Sequence, residues 1–272
     1  MRRFLIYQKC FWLIAILLAG SWVFAADGVK VGLRKQLLVD DWVVAEKRGM
    51  VRELGTVVKQ NGGKPIFEGH FYGTVLHDEG KFKMWYRGNP YGYAESVDGI
   101  HFKKISLLKG LDPAHHNTAS FYIDPNETDP AHRYKVCYAY LRPHAAALGY
   151  SADGIHWKAY NGGKPVTHRA ADTHSQIFWD PLRSQYRLTT RTDGAKRGEP
   201  EYRTVRIMYH DQGNDLLKYP AAWKTVKDRI AIDDPMDEGY PGSSTQKRQF
   251  HHITCWFYEG IYFGIMNVLE TP

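Results

Sequence analysis

Three aspartates, Asp78, Asp124 and Asp180, each close a short apolar run and open a turn. Counting eight residues back from each (78 − 8, 124 − 8, 180 − 8) reaches His70, His116 and Asp172. Strand side chains alternate between two faces, so if these runs are strands, an ionisable group sits at one equivalent level of each. Glu68 and Tyr72 share the parity of His70, and His174 shares that of Asp172. Asn117 adjoins His116, and Asp112 lies in the loop entering the same run. A fourth run offers His251, one residue out of count. Carboxyls among imidazoles and amides suit acid–base work. A protonated carboxyl delivers a proton to a leaving oxygen, an ionised one activates water or attacks carbon, and imidazoles or amides hold hydroxyls and tune their neighbours. Asp172 is the first candidate for base, nucleophile or transition-state stabiliser. Glu68 and Asp112 come after it, with the acid and base roles open among them.

The elements that must position these groups repeat along the chain. Ser96-Val97-Asp98-Gly99-Ile100-His101-Phe102 recurs as Ser151-Ala152-Asp153-Gly154-Ile155-His156-Trp157, and Asn61-Gly62-Gly63-Lys64-Pro65 recurs at 161–165. Short alternating runs at 73–77, 81–87, 91–96 and 102–106 are separated by Asp-Gly and Glu-Gly turns. The pattern returns at 118–123, 133–140, 148–151 and 157–160, then at 175–179, 186–191, 204–209 and near Trp223, and once more at 250–258 and 261–268. A unit of about 50 residues with four strands has the size of a propeller blade. The expected fold is therefore all-β, a five-bladed β-propeller of which about three and a half blades are present. Blades are expected over 66–106, 111–160 and 166–225, with an incomplete one over 246–272. An open propeller leaves edges uncovered, so the chain reads as a fragment that does not fold stably alone. Asp78, Asp98, Asp124, Asp153, Asp180, His101 and His156 are expected to serve the turns, and Trp85 and Trp179 to pack between blades.

The chain's totals bound the partners. Arg2, Arg3 and Lys9 precede an apolar stretch at 11–24 that ends in Val23-Phe24-Ala25, which reads as a signal peptide over 1–25 and a mature domain over 26–272. This implies a periplasmic or secreted location, with no membrane span after cleavage. Net charge falls from +7 to +4 on removing three basic residues (7 − 3), with no Lys/Arg run interleaved with aromatics. Nucleic acid is not an expected partner, while a mild preference for anionic polymers fits. Of the two mature cysteines, Cys137 and Cys255, each lies in an apolar run, compatible with a disulfide or with buried thiols. Adjacent strand residues face opposite ways, so His115-His116 and His251-His252 each offer at most one ligand to a site. No cofactor and no catalytic metal are expected; a structural cation in the funnel is the one exception.

The chain resembles the five-bladed propeller glycoside hydrolases related to families 32, 43, 62 and 68, in particular exported bacterial members. The resemblance rests on Gln36-Leu37-Leu38-Val39-Asp40-Asp41, Lys64-Pro65-Ile66-Phe67-Glu68, Lys83-Met84-Trp85-Tyr86-Arg87-Gly88, Asp124-Pro125-Asn126, Arg133-Tyr134-Lys135, both Ser-x-Asp-Gly-Ile-His copies and Phe178-Trp179-Asp180-Pro181. It implies a sugar ligand at the mouth of a central funnel lined by the innermost strands, with Glu68 at the family's Lys-Pro-x-x-Glu position. His70, Tyr72, His116, Asn117, His174 and His251 are then the substrate-binding set. Cleavage of a poly- or oligosaccharide is the expected activity. A carbohydrate-binding propeller without catalysis and a structural or interaction propeller are the alternatives. Carboxyls about 5–5.5 Å apart indicate retention of configuration and about 6.5–9.5 Å inversion.

Overall fold

A computed structural model describes residues 30, 32–33, 35–69, 71–88, 90–111, 116–140, 145–167, 174–191, 205–210, 223–225 and 248–270. Within these, the side chains of 116–117, 205–210, 223–225, 248–251 and 269–270 are outside the description. The segment read as a signal peptide lies outside the described residues. So do His70, Asp112 and Asp172, and the side chains of His116, Asn117 and His251.

Two compact units divide at residue 53. The described part of the first carries no strand and is tied by Asp41, which pairs with Lys47 at 3.1 Å and with Arg52.

The second unit is all-β, as its alternating runs require. Strands β1 (Thr74–Asp78), β2 (Lys81–Tyr86), β3 (Gly92–Ser96) and β4 (Lys103–Leu107) form one four-stranded antiparallel sheet in chain order. A second comprises β5 (His116–Ile123), β6 (Tyr134–Tyr140), β7 (Ala145–Ser151) and β8 (Trp157–Ala159). A third comprises β9 (Gln176–Asp180), β10 (Gln185–Arg191), β11 (Val205–His210) and β12 (Trp223–Thr225). The hairpin β13 (Arg248–Tyr258) and β14 (Ile261–Glu270) begins a fourth. First strands meet in sequence, β1 against β5, β5 against β9 and β9 against β13. This is radial blade packing, three complete blades and the inner hairpin of another among the described residues. The β1–β2 and β13–β14 turns place Glu79-Gly80 and Glu259-Gly260 at positive φ, the conformation a two-residue hairpin needs.

Blades pack face to face, so β6 is buried almost throughout. Tyr134, Val136 and Tyr138 join Trp85, Phe121 and Trp157 against the first blade, while Cys137 joins Leu148, Ile177 and Leu188 against the third. Trp85 is fully buried, stacks on Phe121 at 5.1 Å and donates Nε1–H to the Gly154 carbonyl at 2.8 Å. Both cysteines are free, buried thiols in separate clusters.

The repeated Ser-x-Asp-Gly-Ile-His segments form identical closed turns. In each, the serine Oγ accepts the Asp and Gly amides and the Asp Oδ1 accepts the Ile and His amides. The second carboxylate oxygen meets His Nδ1 at 2.6 Å (His101) and 2.7 Å (His156).

The inner-hairpin aspartates do more than turn the chain. Each takes a cation from its own blade's second strand: Lys83 on Asp78 at 2.6 Å, Lys135 on Asp124 at 3.0 Å and Arg187 on Asp180 at 3.0 Å. Each also accepts a tyrosine hydroxyl from the next blade: Tyr134 on Asp78, Tyr186 on Asp124 and Tyr262 on Asp180. The tyrosine precedes the cation in sequence (Tyr134-Lys135, Tyr186-Arg187), so one strand grips its own blade with one residue and the preceding blade with the other.

For Asp78 and Asp180, burial pushes the carboxyl upward. The latch donors outweigh it and hold both below the usual carboxylate value: Lys83, Tyr134 and Arg133 on Asp78, and Tyr262, Arg187 and the Arg183 amide on Asp180. A carboxyl depressed in the folded state contributes stability that is fully present above its unfolded pKa, about 3.9, and disappears as pH falls through the folded value. The melting temperature should therefore hold from pH 7 to about 5 and fall steeply below about 4. Asp78→Asn/Asp180→Asn should start lower and show a flatter acid limb. Parallel limbs in a calorimetric pH series would refute the latch account.

Candidate functional site

Aligning the four inner hairpins places Tyr258 of β13 at the level of Asp78, Asp124 and Asp180. Six residues back (78 − 6, 124 − 6, 180 − 6, 258 − 6) stand Tyr72, Thr118, His174 and His252, one per blade. The side chains of Tyr72, His174 and His252 come together. The Tyr72 and His174 ring centroids are 4.8 Å apart, and those of His174 and His252 are 5.4 Å apart. Four residues back, the side chains instead clip neighbouring blades together. Thr74 Oγ1 accepts the Phe121 amide, Ser120 Oγ donates to the Ser175 carbonyl, and the Gln176 amide both donates to and accepts from the Cys255 backbone.

Electrostatics at the converging ring are those of neutral imidazole. Burial and neighbouring His252 push His174 down to about 4, against the opposing pull of a hydrogen bond to the Gly73 carbonyl. Burial and the charge of Arg191 lower His252 as well. Neither imidazole carries a proton charge at neutral pH. Two polar atoms of this ring, Thr118 Oγ1 and His252 Nδ1, are buried and have no hydrogen-bond partner. Such groups are rare in folded proteins because each forfeits its hydration without compensation.

On the hairpin side of the ring lies a cavity of about 820 Å³ along β1, β5, β9 and β13. Its walls are mainly apolar, Leu76, Tyr122, Phe178, Trp179 and Trp256 among them. Asp78 is the carboxylate among its described lining residues, and Lys83, Arg133 and Tyr134 already engage it.

The structure brings together two members of the expected set, Tyr72 and His174, at van der Waals distance across the axis. Glu68 is exposed, and the Phe67 ring beside it packs on Tyr86 at 4.7 Å. The backbones of His116, Asn117 and His251 run at the strand entrances of β5 and β13. Both entrances are irregular, the β5 ladder shifting between His116 and Ala119 and the β13 ladder between Phe250 and His252. A bulge adds a residue and re-aims the side chains next to it. The regular ladder thus runs to His252, six residues before its hairpin, in β13 but only to Ala119, five residues before, in β5, with Thr118 inside the irregular stretch. It is the imidazole of His252 that reaches His174. Sequence reasoning missed Thr118 and His252. The signal for both was a count of six rather than eight, with Tyr258 admitted as the fourth anchor. Among the described residues no three His, Cys, Asp or Glu side chains cluster as a metal site would require.

Successive four-stranded meanders whose first strands surround one axis define a β-propeller. No known family profile and no curated protein matches the chain. Solved structures similar to it are glycoside hydrolases of families 43 and 32, which are five-bladed propellers. A thermostable family-43 glycoside hydrolase is 14% identical, with 70% of this chain and 61% of that one aligned at a TM-score of 0.49. The family-32 β-fructofuranosidase of Bombyx mori, solved with sucrose, is 14% identical over 75% of this chain and 44% of its own, at 0.46. The exo-β-1,3-galactanase of Phanerochaete chrysosporium, solved with β-1,3-galactotriose, is 8% identical over 72% and 43%, at 0.46. The chain thus spans less than two thirds of the length of each of these three.

Proposed function

We propose that this propeller is a carbohydrate-active protein, exported by its 1–25 segment to the periplasm or beyond, that cleaves glycosidic bonds at the axial mouth. The observation carrying the reading is the ring of Tyr72, Thr118, His174 and His252, which combines an aromatic wall with two buried polar atoms lacking partners. Aromatic faces and well-placed hydroxyl and imidazole groups are what a sugar ring requires of its site. In this reading Asp172 acts as base, nucleophile or transition-state stabiliser. Glu68 or Asp112 is the partner carboxyl, and His70, His116, Asn117 and His251 surround the sugar above the ring. The test is release of reducing ends from a panel of poly- and oligosaccharides by the full chain, with Asp172→Asn and Glu68→Gln in parallel. Acid–base groups contribute about 10²–10⁴-fold, so a loss of at least about a hundred-fold is expected in each variant. Full turnover in both would remove the assignment.

A second reading, carbohydrate binding without catalysis, draws on the composition of the described floor. It contains tyrosine, threonine and histidine, and the carboxylate below it is committed to an ion pair. Retention of a labelled glycan with no product after prolonged incubation would decide for binding.

A further inference from the structure

We infer that Tyr91 is a positioning residue of the axial site, its buried hydroxyl fixing Tyr72 of the first blade against the strand start of the second. The inference rests on the carbohydrate reading above and adds to it a residue that sets the spacing of the walls.

Tyr91 stands directly before β3, on the connection from β2, and is 2% exposed. Its own backbone is anchored, since its carbonyl accepts the Leu108 amide at 2.7 Å, and its ring packs on Phe121 with centroids 5.9 Å apart. The hydroxyl spans two blades. It donates to the Tyr72 carbonyl at 3.0 Å and accepts the Ala119 amide at 3.1 Å. One oxygen thus joins Tyr72 to the point where the β5 ladder resumes after the irregular stretch that begins at His116. A tyrosine hydroxyl has one proton to give and lone pairs to receive, so it can serve both groups at once. Burial pushes this one up to about 12, so the proton stays and both bonds hold through the neutral range.

The backbone that Tyr91 holds is gripped from other sides as well. The next carbonyl, that of Gly73, accepts from the His174 imidazole. Gly73 also lies so close to β2 that a Cβ would come within 1.8 Å of the Trp85 carbonyl oxygen, which only glycine tolerates. Residues 72 and 73 therefore have three fixed points, the Tyr91 hydroxyl, the His174 ring and the β2 backbone, and Tyr91 brings β5 into the same clamp. The rings that this clamp sets against each other, Tyr72 and His174, have centroids 4.8 Å apart. Binding groups must be held within about 0.5 Å of their productive positions by the residues behind them. Phenylalanine at 91 keeps the ring, leaves the interior Ala119 amide without this acceptor and frees the Tyr72 carbonyl to shift.

The test compares the full chain with its Tyr91→Phe and Tyr93→Phe variants. Tyr93 is the control: it is equally buried, lies in the same blade, and spends its hydroxyl on Glu95 of β3 at 2.9 Å. Affinity and turnover are measured on the best glycan of the panel, and the His174 imidazole resonances are recorded by NMR without glycan. Tyr91→Phe should lower kcat/KM, or affinity if the protein only binds, about ten-fold. It should also shift the His174 resonances, because the Tyr72 ring beside them is released. Tyr93→Phe should do neither, although it too loses a hydroxyl hydrogen bond and some stability. In the wild type, glycan saturation should move the Ala119 amide resonance through the same hydroxyl, a readout that stands even if Tyr91→Phe fails to fold. Wild-type affinity and turnover in folded Tyr91→Phe, unshifted His174 resonances, or an unmoved Ala119 amide overturns the positioning role and leaves the carbohydrate reading standing. Equal losses in both tyrosine variants overturn it as well, since they mark general destabilisation. Failure of the wild type to bind or cleave any glycan overturns the two together.

Discussion

Replacing Trp85 by alanine should lower the unfolding free energy by about 3–5 kcal/mol, a drop in melting temperature of about 6–20 °C for a unit of this size. Trp85 is the plate between the first two blades, fully buried, stacked on Phe121 at 5.1 Å and tilted against Tyr93 and Tyr134. Gly154 is shaped to it, with positive φ and a position where a Cβ would come within 2.9 Å of the indole. Truncation opens a cavity between the blades and removes one of the two indole donors to the Gly154 carbonyl, leaving Trp157 Nε1–H at 3.0 Å. Trp85→Phe separates these effects, since it keeps a ring against Phe121 and loses the N–H, and should cost clearly less. A calorimetric shift under about 2 °C for the alanine variant would show that the two blades do not depend on this contact.

Lys135→Met should be comparably damaging, about 3–5 kcal/mol, although methionine fills much of the same volume. The Lys135 side chain is 1% exposed and reaches Asp124, itself 0% exposed, at 3.0 Å and Glu127 at 2.8 Å. Removing the cation strands a carboxylate in the interior with the Tyr186 hydroxyl, at 2.5 Å, and the Asn126 amide, at 3.0 Å, as neutral donors but no positive charge from Lys135. Desolvation of an unpaired charge, rather than loss of an attraction, drives the effect. Asp124→Leu/Lys135→Met should therefore recover much of the loss, since replacing both partners of a buried pair by apolar groups is often neutral or stabilising. Chemical denaturation of the single and double variants measures this directly. A double variant no better than the single would mean that the pair specifies the blade junction in some further way.

Blade architecture was legible in the chain because its punctuation is local. The two Ser-x-Asp-Gly-Ile-His turns close on their own backbone amides, and Glu79-Gly80 and Glu259-Gly260 carry the positive φ of tight hairpins. Period-two alternation then placed every described strand to within a few residues. The latches were not legible. Asp78, Asp124 and Asp180 look like turn residues and are, but their carboxylates also serve a tyrosine from the next blade, a relation set by tertiary packing. The floor was legible in part. Tyr72 and His174 come from parity alone, whereas Thr118 and His252 adjoin bulges in β5 and β13 that a regular count does not foresee.

The contact between Tyr72 and His174 has a bearing on how any polymer could be handled. Rings from the first and third blades with centroids 4.8 Å apart leave no room for a pyranose between them. A glycan that reaches this pair can lie across it or stop against it, but no sugar unit can thread between the two rings.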